Sequence, residues 1–207
     1  MTRLGRPEQT RRDILEAAFT NIHRRGFQAA GLADILAETK LTKGAFYHHF
    51  RSKTALGYAI VDETLKRYIE SWWIEPLADT KDPLEALAQL IQERLSSGIP
   101  AMLRLGCPLN NLTQEMAPVE EGFRQRLEGL YRLWRKGLSR ALRHGQQHGT
   151  VRTDVDTDEA AAFIIAALQG AFGQAKASQS LDVFQECMGG LTHYLTSLRP
   201  RARTAGA

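Results

Sequence analysis

The stretch that decides the fold is GLADILAETKLTKGAFYHHFRSK, from Gly31 to Lys53. Its first part, GLADILAE, spaces its apolar residues so that a short helix has one buried face. After a break at Thr39–Leu41, Thr42 can cap a second short helix, KGAFYHHF. Two short helices joined by a turn of three or four residues form the helix-turn-helix pattern.

The second of these helices combines bulky rings with positive charge and has no acidic residue. In a helix-turn-helix unit, the second helix lies in the DNA major groove with its first residues at the base edges. Phe46 and Phe50 are four residues apart and can pack together on the first helix of the chain. The other side chains can reach bases or phosphates. These candidates are Lys43, Tyr47, His48 and Lys53, while the small residues Gly44 and Ala45 let the backbone approach the groove closely. The alternative is a small core with a solvated basic face, because short basic helices are common.

The charge of the chain is concentrated around this motif. Residues 1–53 contain 10 Lys/Arg and 5 Asp/Glu, a balance of +5. Residues 54–207 hold the remaining 17 Lys/Arg and 18 Asp/Glu, a balance of −1. The asymmetry indicates a polyanionic partner for the N-terminal segment alone.

Composition excludes several other classes of protein. The two cysteines, Cys107 and Cys187, form neither a disulfide framework nor a zinc site, and no cofactor or metal is predicted. No apolar run approaches the ~18 residues of a membrane span. The first residues lack the apolar core of a secretory signal, so a cytoplasmic protein is expected.

Helical periodicity runs through the whole chain, while strand alternation and hairpin turns are missing. We therefore predict an all-α fold of about nine helices. The first helix begins at Pro7 and stops at Gly26, and a long fourth helix is capped by Ser52 and ends near Pro76. Later helices are predicted to begin near Asp82, Pro108 and Pro118 and to cover about 156–178 and 181–198.

The residues from Gly31 to Lys53 closely resemble the head of the tetracycline-repressor (TetR) family. In that family a small residue, Lys-Gly, an aromatic residue and the pattern Y-x-H/Y-F-x-S/N-K follow in register. The resemblance is strong over residues 8–68, and the plan of nine helices extends it over the chain. One departure is Lys40, at a turn position where the family often has Gly, because a left-handed Lys costs about 1 kcal/mol.

The resemblance implies a homodimeric transcriptional regulator, usually a repressor, which a small ligand releases from a palindromic DNA operator. It adds Thr42 to the DNA-facing candidates above. It also implies a DNA-binding domain at 8–68 with its motif at 31–50, a ligand-binding and dimerisation domain at 69–198, and a disordered tail at 199–207. Arginines near the N-terminus are either phosphate or minor-groove contacts or solvated charge, and both interpretations stay open. They are Arg3, Arg6, Arg11 and Arg12.

The helix DEAAAFIIAALQGAFGQAKASQS has small residues on nearly every side. A helix without a polar face is buried on more than one side, and small residues let another helix come close. Together with VFQECMGGLTHYLTSL it predicts a two-fold, four-helix dimer interface. The alternative is a buried helix in a monomeric core.

The segment GCPLNNLTQEMAP resembles a subgroup of the family with the pattern G-C-x-x-x-N-L-x-x-E, which includes electrophile-sensing repressors that respond to N-ethylmaleimide. Polar amides beside leucines on a helix that begins at Pro108 suit the wall of a ligand pocket. Asn110, Asn111 and Gln114 are therefore effector-site candidates. Trp134 and Phe172 are further candidates, with plain core packing as the alternative.

Cys107 would lie at or near the N-cap of that helix, where the helix dipole favours a reactive thiolate. Lys176 is the one charged residue between Ala160 and Leu181. It either extends to water or faces an anion in the pocket. Our hypothesis is that modification of Cys107, helped by Lys176, shifts the dimer to a form that no longer fits the operator, while Cys187 is protected in the dimer helix. The alternative is a buried, inert thiol.

A cysteine-dependent hydrolase that uses Cys107 is the alternative function, and it is weak. None of the six histidines lies in the strand-turn-helix setting that such chemistry uses. An RNA-binding protein is disfavoured because aromatic stacking motifs on a sheet are missing. We therefore predict a DNA-binding regulator and not an enzyme.

Overall fold

The computed structural model describes the backbone of residues 6–97 and 99–200 and the side chains of residues 7–93 and 102–200. These residues form helices and contain no strand. The helices are α1 Arg6–Arg25, α2 Leu32–Thr39, α3 Lys43–His49, α4 53–74, α5 Pro83–Ser97, α6 Ile99–Leu105, α7 Pro108–Met116, α8 Glu121–Gln147, α9 Thr157–Ser178 and α10 Leu181–Ser197.

The prediction of an all-α fold with about nine helices is confirmed within the described residues. The one helix among the described residues that was not expected is the short helix α6. Pro100 lies in its first turn, where the missing proline N–H is not needed for a helical hydrogen bond. The sequence SSGIP therefore contains both the end of α5 and the start of α6.

Helix α4 departs from regular geometry twice. It is α-helical over Lys53–Ala59 and Lys66–Ile69 but π-helical over Ile60–Leu65 and Glu70–Ile74. A single 3₁₀ turn, Glu75–Leu77, follows it and contains the proline that was predicted to end the helix.

The helix ends follow the local chemistry predicted from the sequence. Ser52 accepts a hydrogen bond from the N–H of Ala55 at 3.0 Å and so caps α4. Gly26 follows α1 with φ of +87°, a left-handed conformation that glycine adopts without strain. Asp156 caps α9 by accepting from the N–H groups of Asp158 and Glu159 at 2.8 and 3.0 Å.

The contacts divide the chain into two compact units. The first, called the head unit below, contains the described residues up to Tyr68 together with Pro108–Tyr131. The second, the body unit, contains Ile69–Cys107 and the described residues from Arg132 onwards. Helix α7 and the first part of α8 thus group with the predicted DNA-binding domain, although the sequence had assigned residues 69–198 to one further domain.

The head unit has a core of apolar side chains from α1 to α4 and α8. Ile14, Ile35 and Leu56 are fully buried. The ring of Phe123 lies edge-on to that of Phe27, with centroids 4.8 Å apart. Gly57 faces this pair, and a Cβ atom there would lie 2.5 Å from both rings. Glycine is therefore required for α4 to pack this closely.

The body unit is built around α9, which packs against α6 and α10. Its C-terminal end is joined to the rest of the unit by Arg199, which donates to Asp82 at 2.8 Å. The predicted disordered tail, residues 199–207, begins at Arg199. Residues 201–207 of that tail lie outside the described residues. Among the helices that are described, none combines the length and the apolar character needed to cross a bilayer.

Candidate DNA-binding surface and effector region

The helix-turn-helix unit consists of α2, a turn at residues 40–42, and α3. Lys40 ends α2 with φ of 55° and ψ of 24°. The lysine thus adopts the left-handed conformation itself, at the expected cost of about 1 kcal/mol. Thr42 begins α3, because its Oγ1 accepts a hydrogen bond from the N–H of Ala45 at 3.2 Å. Its role as a cap is confirmed.

The outer face of α3 is exposed, and its inner face fills the core. Phe46 is fully buried and Phe50 nearly so, with ring centroids 5.8 Å apart. Tyr47 keeps 54% of its surface exposed although its neighbour is buried. Residues three and four apart share a helix face. The exposed candidates on or beside α3 are Thr42, Lys43, Gly44, Tyr47 and His48, and Ala45 is half-buried.

Lys53 does not lie free beside these residues. It is half-buried, and its Nζ donates to the carbonyl oxygen of Gln28 at 3.1 Å. The same ammonium lies 4.9 Å from the centroid of the Phe27 ring. Burial lowers the pKa of Lys53, and the nearby carboxylate of Glu115 opposes that shift. Lys53 thus joins the start of α4 to the corner between α1 and α2, and its contact with DNA phosphate stays a prediction.

Arg11 is likewise engaged within the head unit. Its guanidinium donates two hydrogen bonds to the carboxylate of Glu63, at 2.6 and 2.5 Å, and lies 5.1 Å from the Phe50 ring centroid. The hydrogen bond to Glu63 raises the pKa of Arg11 in spite of burial. Of the other N-terminal arginines, Arg12 is exposed, whereas Arg3 and the side chain of Arg6 lie outside the described residues.

Glu115 on α7 clamps the corner between α1 and α2. Its Oε2 accepts from the N–H of Phe27 at 2.7 Å, and its Oε1 accepts from the N–H of Gln28 at 2.8 Å. A Cβ atom on Gly26 would lie 3.0 Å from Oε2. Glycine thus ends α1 and also leaves room for the carboxylate. The acidic end of α7 fixes the point from which the chain enters α2.

A second link joins α4 to the start of α8. The hydroxyl of Tyr58 donates to Glu120 Oε1 at 2.8 Å, and Oε2 of the same carboxylate accepts from the N–H of Phe123 at 2.7 Å. The hydrogen bond between the two side chains raises the pKa of Tyr58 and lowers that of Glu120. Arg126 stacks over the tyrosine ring at 4.0 Å and pairs with Asp62 at 3.0 Å.

The amides predicted to line a ligand pocket lie on α7 in the head unit. Asn110 and Asn111 are half-buried and Gln114 is exposed. Asn111 borders a cavity of about 20 Å³ between α1, α4 and α7. That volume holds about one water molecule and no organic effector. This cavity is therefore not an effector site, and the role of the three amides in binding an effector stays a prediction.

The remaining effector candidates lie in the body unit. Cys107 is 4% exposed and immediately precedes α7. Trp134 and Phe172 are buried and pack on the rings of Trp73 and Phe184, with centroid distances of 5.5 and 5.0 Å. Lys176 is exposed. Its role in an effector site stays a prediction, and both interpretations given above stay open.

An open groove of about 390 Å³ runs along the surface of α9 and α10. Phe163 is 52% exposed there, although a phenylalanine is normally buried. Small residues and a half-buried thiol line the rest of the groove. They include Ala167, Gly170, Gly190 and Cys187.

Two family models match this sequence. The model for bacterial regulatory proteins of the tetR family matches residues 14–60, and the model for the tetracyclin repressor-like C-terminal domain matches residues 83–190. The chain belongs to the TetR family. It is a DNA-binding transcriptional regulator, as the sequence predicted.

Individual TetR-family proteins are similar over most of their length. The chain is 29% identical over 175 residues to the HTH-type transcriptional repressor DhaR of Mycobacterium sp. (strain GP1), covering 83% of this chain and 85% of DhaR. It is 25% identical over 179 residues to the HTH-type transcriptional repressor NemR of Escherichia coli (strain K12), covering 86% and 90%. The similarity to NemR supports the predicted resemblance to the electrophile-sensing subgroup.

Solved structures of TetR-family regulators share the fold. A regulator from Cytophaga hutchinsonii superposes with a TM-score of 0.85 at 22% identity, over 97% of this chain and 100% of that one. The reduced form of E. coli NemR superposes with a TM-score of 0.80 at 23% identity, over 95% and 100%.

Sequence reasoning missed two residues that the structure brings forward. Glu115 is the final residue of the pattern G-C-x-x-x-N-L-x-x-E, so a signal for it was present in the subgroup resemblance. Gln169 lies in the small-residue helix α9 and is 8% exposed. Neither its Oε1 nor its Nε2 has a hydrogen-bond partner in the described part of the chain. An isolated glutamine gives no such signal in a sequence.

Proposed function

We propose that this TetR-family protein is a homodimeric repressor that binds a palindromic operator and releases it when a small effector binds the body unit. The observation that carries the proposal is the exposed outer face of α3. A helix of this kind presents its first residues to the base edges of the major groove. Lys43 and Ala45 are therefore proposed to read bases, and Tyr47 and His48 to contact phosphates. Gly44 and Ala45 are small and let the helix approach the groove closely, while Thr42 caps the start of the helix.

The groove on α9 and α10 supports the homodimer. An exposed phenylalanine beside small residues is an apolar surface of the kind that a second copy of the chain covers. A two-fold dimer has two α3 helices, and paired recognition helices of this kind read half-sites about 34–36 Å apart. Such a dimer requires a palindromic operator.

The sign of regulation is proposed from the relatives. DhaR and NemR are both described as transcriptional repressors, and this chain matches each over most of its length. Reversible binding of a ligand is favoured over modification of Cys107. A thiol with 4% exposure is poorly accessible to an electrophile unless the body unit opens.

Duplexes selected from random DNA provide the test. Fluorescence anisotropy would measure their affinity for wild type, Lys43→Ala and the matched control Lys81→Ala, an exposed lysine in the body unit. We expect Lys43→Ala to lose affinity and change its preference among operator variants, while Lys81→Ala behaves as wild type. No enrichment of palindromic duplexes, or a monomer by light scattering at micromolar concentration, would refute the proposal.

The Cys107 route has its own experiment. Operator release after N-ethylmaleimide treatment would be compared among wild type, Cys107→Ser and Cys187→Ser. If the thiol is inert, Cys107→Ser and wild type respond alike. If Cys107→Ser alone resists release, modification of Cys107 is the switch and the reversible-ligand form of the proposal is wrong.

A further inference from the structure

The side chain of Gln169 is an amide buried without partners. It lies in the middle of α9, is 8% exposed, and has no hydrogen bond on Oε1 or on Nε2 among the described residues. Buried polar groups in folded proteins are nearly always hydrogen-bonded, so each exception needs a physical reason. An amide has both a donor and an acceptor, and both are desolvated here without compensation.

The helical neighbours of Gln169 on the same side of α9 are apolar. Ile165 and Phe172, four residues before it and three residues after it, are each 4% exposed. A glutamine at this position contributes nothing to apolar packing that leucine or methionine would not provide better. A few polar groups set among apolar and aromatic side chains are, however, typical of a small-molecule site, where they fix the orientation of the ligand.

The dimer surface does not explain this residue. The open groove on α9 and α10 is lined by residues such as Phe163, Gly170 and Gln174, and Gln169 is not among them. Its amide atoms are closed to solvent, so a second copy of the chain cannot reach them from the surface. Neither the described residues nor this groove supplies a partner for the amide, and a small molecule bound inside the body unit would supply one.

We infer that Gln169 orients the effector in the body unit and selects an uncharged ligand that has a donor and an acceptor side by side on an apolar skeleton. This inference rests on the proposed function, because it names the ligand class of the effector. A primary or cyclic amide satisfies both atoms of the glutamine at once. A carboxylate would bring an uncompensated charge into the interior, and a plain hydrocarbon would leave both amide atoms unpaired.

The experiment uses benzamide as the probe, with toluene and benzoate as its apolar and charged counterparts. The variants are Gln169→Met and Gln169→Leu, which replace the amide by an apolar side chain of similar size. The control is Gln147→Leu, at an exposed glutamine on α8. Binding is measured by thermal shift and by release of the selected operator. We expect wild type and Gln147→Leu to bind benzamide better than toluene or benzoate. Both Gln169 variants should bind benzamide about ten-fold more weakly or worse, because both hydrogen bonds of the ligand are lost.

A second readout needs no ligand. Both Gln169 variants should melt at a higher temperature than wild type, since they remove a desolvated amide, and should bind operator as wild type does. Three outcomes would overturn the inference. Wild type and Gln169→Met could bind benzamide equally, or wild type could fail to bind benzamide up to its solubility limit. The third outcome is that wild type binds toluene as tightly as benzamide. Operator binding measured without ligand separates this inference from the proposed function. If wild type binds no operator, the proposed function is refuted, whereas the ligand class is tested by the thermal shift alone.

Discussion

Replacing Glu115 by alanine removes the clamp between α7 and the corner that leads into the helix-turn-helix unit. The variant leaves the N–H groups of Phe27 and Gln28 without their acceptors, which now lie at 2.7 and 2.8 Å. It also removes the negative charge that faces Lys53. The change is confined to one side chain and creates no steric clash.

The magnitude follows from the surroundings of the two N–H groups. A hydrogen bond to a charged group contributes roughly 1.5–3 kcal/mol. The bond from Phe27 is partly buried and loses most of this, while the exposed N–H of Gln28 regains water. We expect Glu115→Ala to lower the free energy of unfolding by about 2–3 kcal/mol, which is roughly a 30- to 150-fold change in the folding equilibrium. Glu115→Gln keeps one acceptor oxygen and should lie between alanine and wild type.

Urea unfolding at a fixed protein concentration measures this loss, because the stability of a dimer depends on concentration. The matched control is Glu121→Ala, which breaks an exposed pair with Arg124 on the same unit and should leave the urea midpoint nearly unchanged. Operator affinity of Glu115→Ala should fall as well, since the corner positions α2 and α3. Coinciding urea midpoints for Glu115→Ala and Glu121→Ala would show that the clamp does not stabilise the head unit.

Three further outcomes are expected. Tyr47→Phe should weaken binding to all operator variants by a similar factor of about 2 to 12 in anisotropy titrations, since one hydrogen bond to phosphate contributes roughly 0.5–1.5 kcal/mol. A loss of affinity that depends on the bases of the operator would contradict the phosphate role. Gly57→Ala should destabilise by about 1–3 kcal/mol in urea, because its Cβ meets two aromatic rings at 2.5 Å, whereas Gly129→Ala, with nothing within 4 Å, should be neutral or stabilising. Burial raises the pKa of Asp82, but the hydrogen bond from Arg199 and those from backbone N–H groups lower it by more, so the net pKa is lowered. The stability that Asp82 contributes is therefore present above the ordinary aspartate pKa and is lost as the pH falls through the lowered pKa of the folded state. The difference in urea midpoint between wild type and Asp82→Asn should shrink below about pH 4. A difference that stays constant down to about pH 3 would contradict this prediction.

The fold was predictable where local chemistry decides it. Thr42 and Ser52 cap helices because their hydroxyls reach an N–H three residues on, and Gly26 stops a helix because it adopts positive φ freely. The π-helical parts of α4 were not predictable, because a hydrogen bond from i to i+5 leaves the apolar pattern almost unchanged. Helix α6 was missed because its proline was interpreted as a stop.

The exposed face of the candidate DNA-binding site was predictable from the sequence, but the long-range contacts that support it were not. The alternation of buried and exposed residues along α3 identifies its outer face, since Phe46 must pack inward for the fold to form. Contacts between distant parts of the chain carry no local signal. Glu115 binds a residue 88 positions away, and Lys53 is drawn inward by a carbonyl oxygen 25 positions away. Neither partner could be chosen from the sequence alone.

The discontinuity of the head unit has a consequence for hybrid regulators made by exchanging DNA-reading modules. A transplant cut at residue 68 would carry Phe27, Gln28 and Tyr58 into a new host but leave Glu115 and Glu120 behind. The graft would then inherit its specificity for DNA without the carboxylates that hold its corner in place. A transplant of this module should therefore include residues 108–131 as a second insert. A single cut at residue 68 works only if the recipient has its own acidic residues at the positions of Glu115 and Glu120.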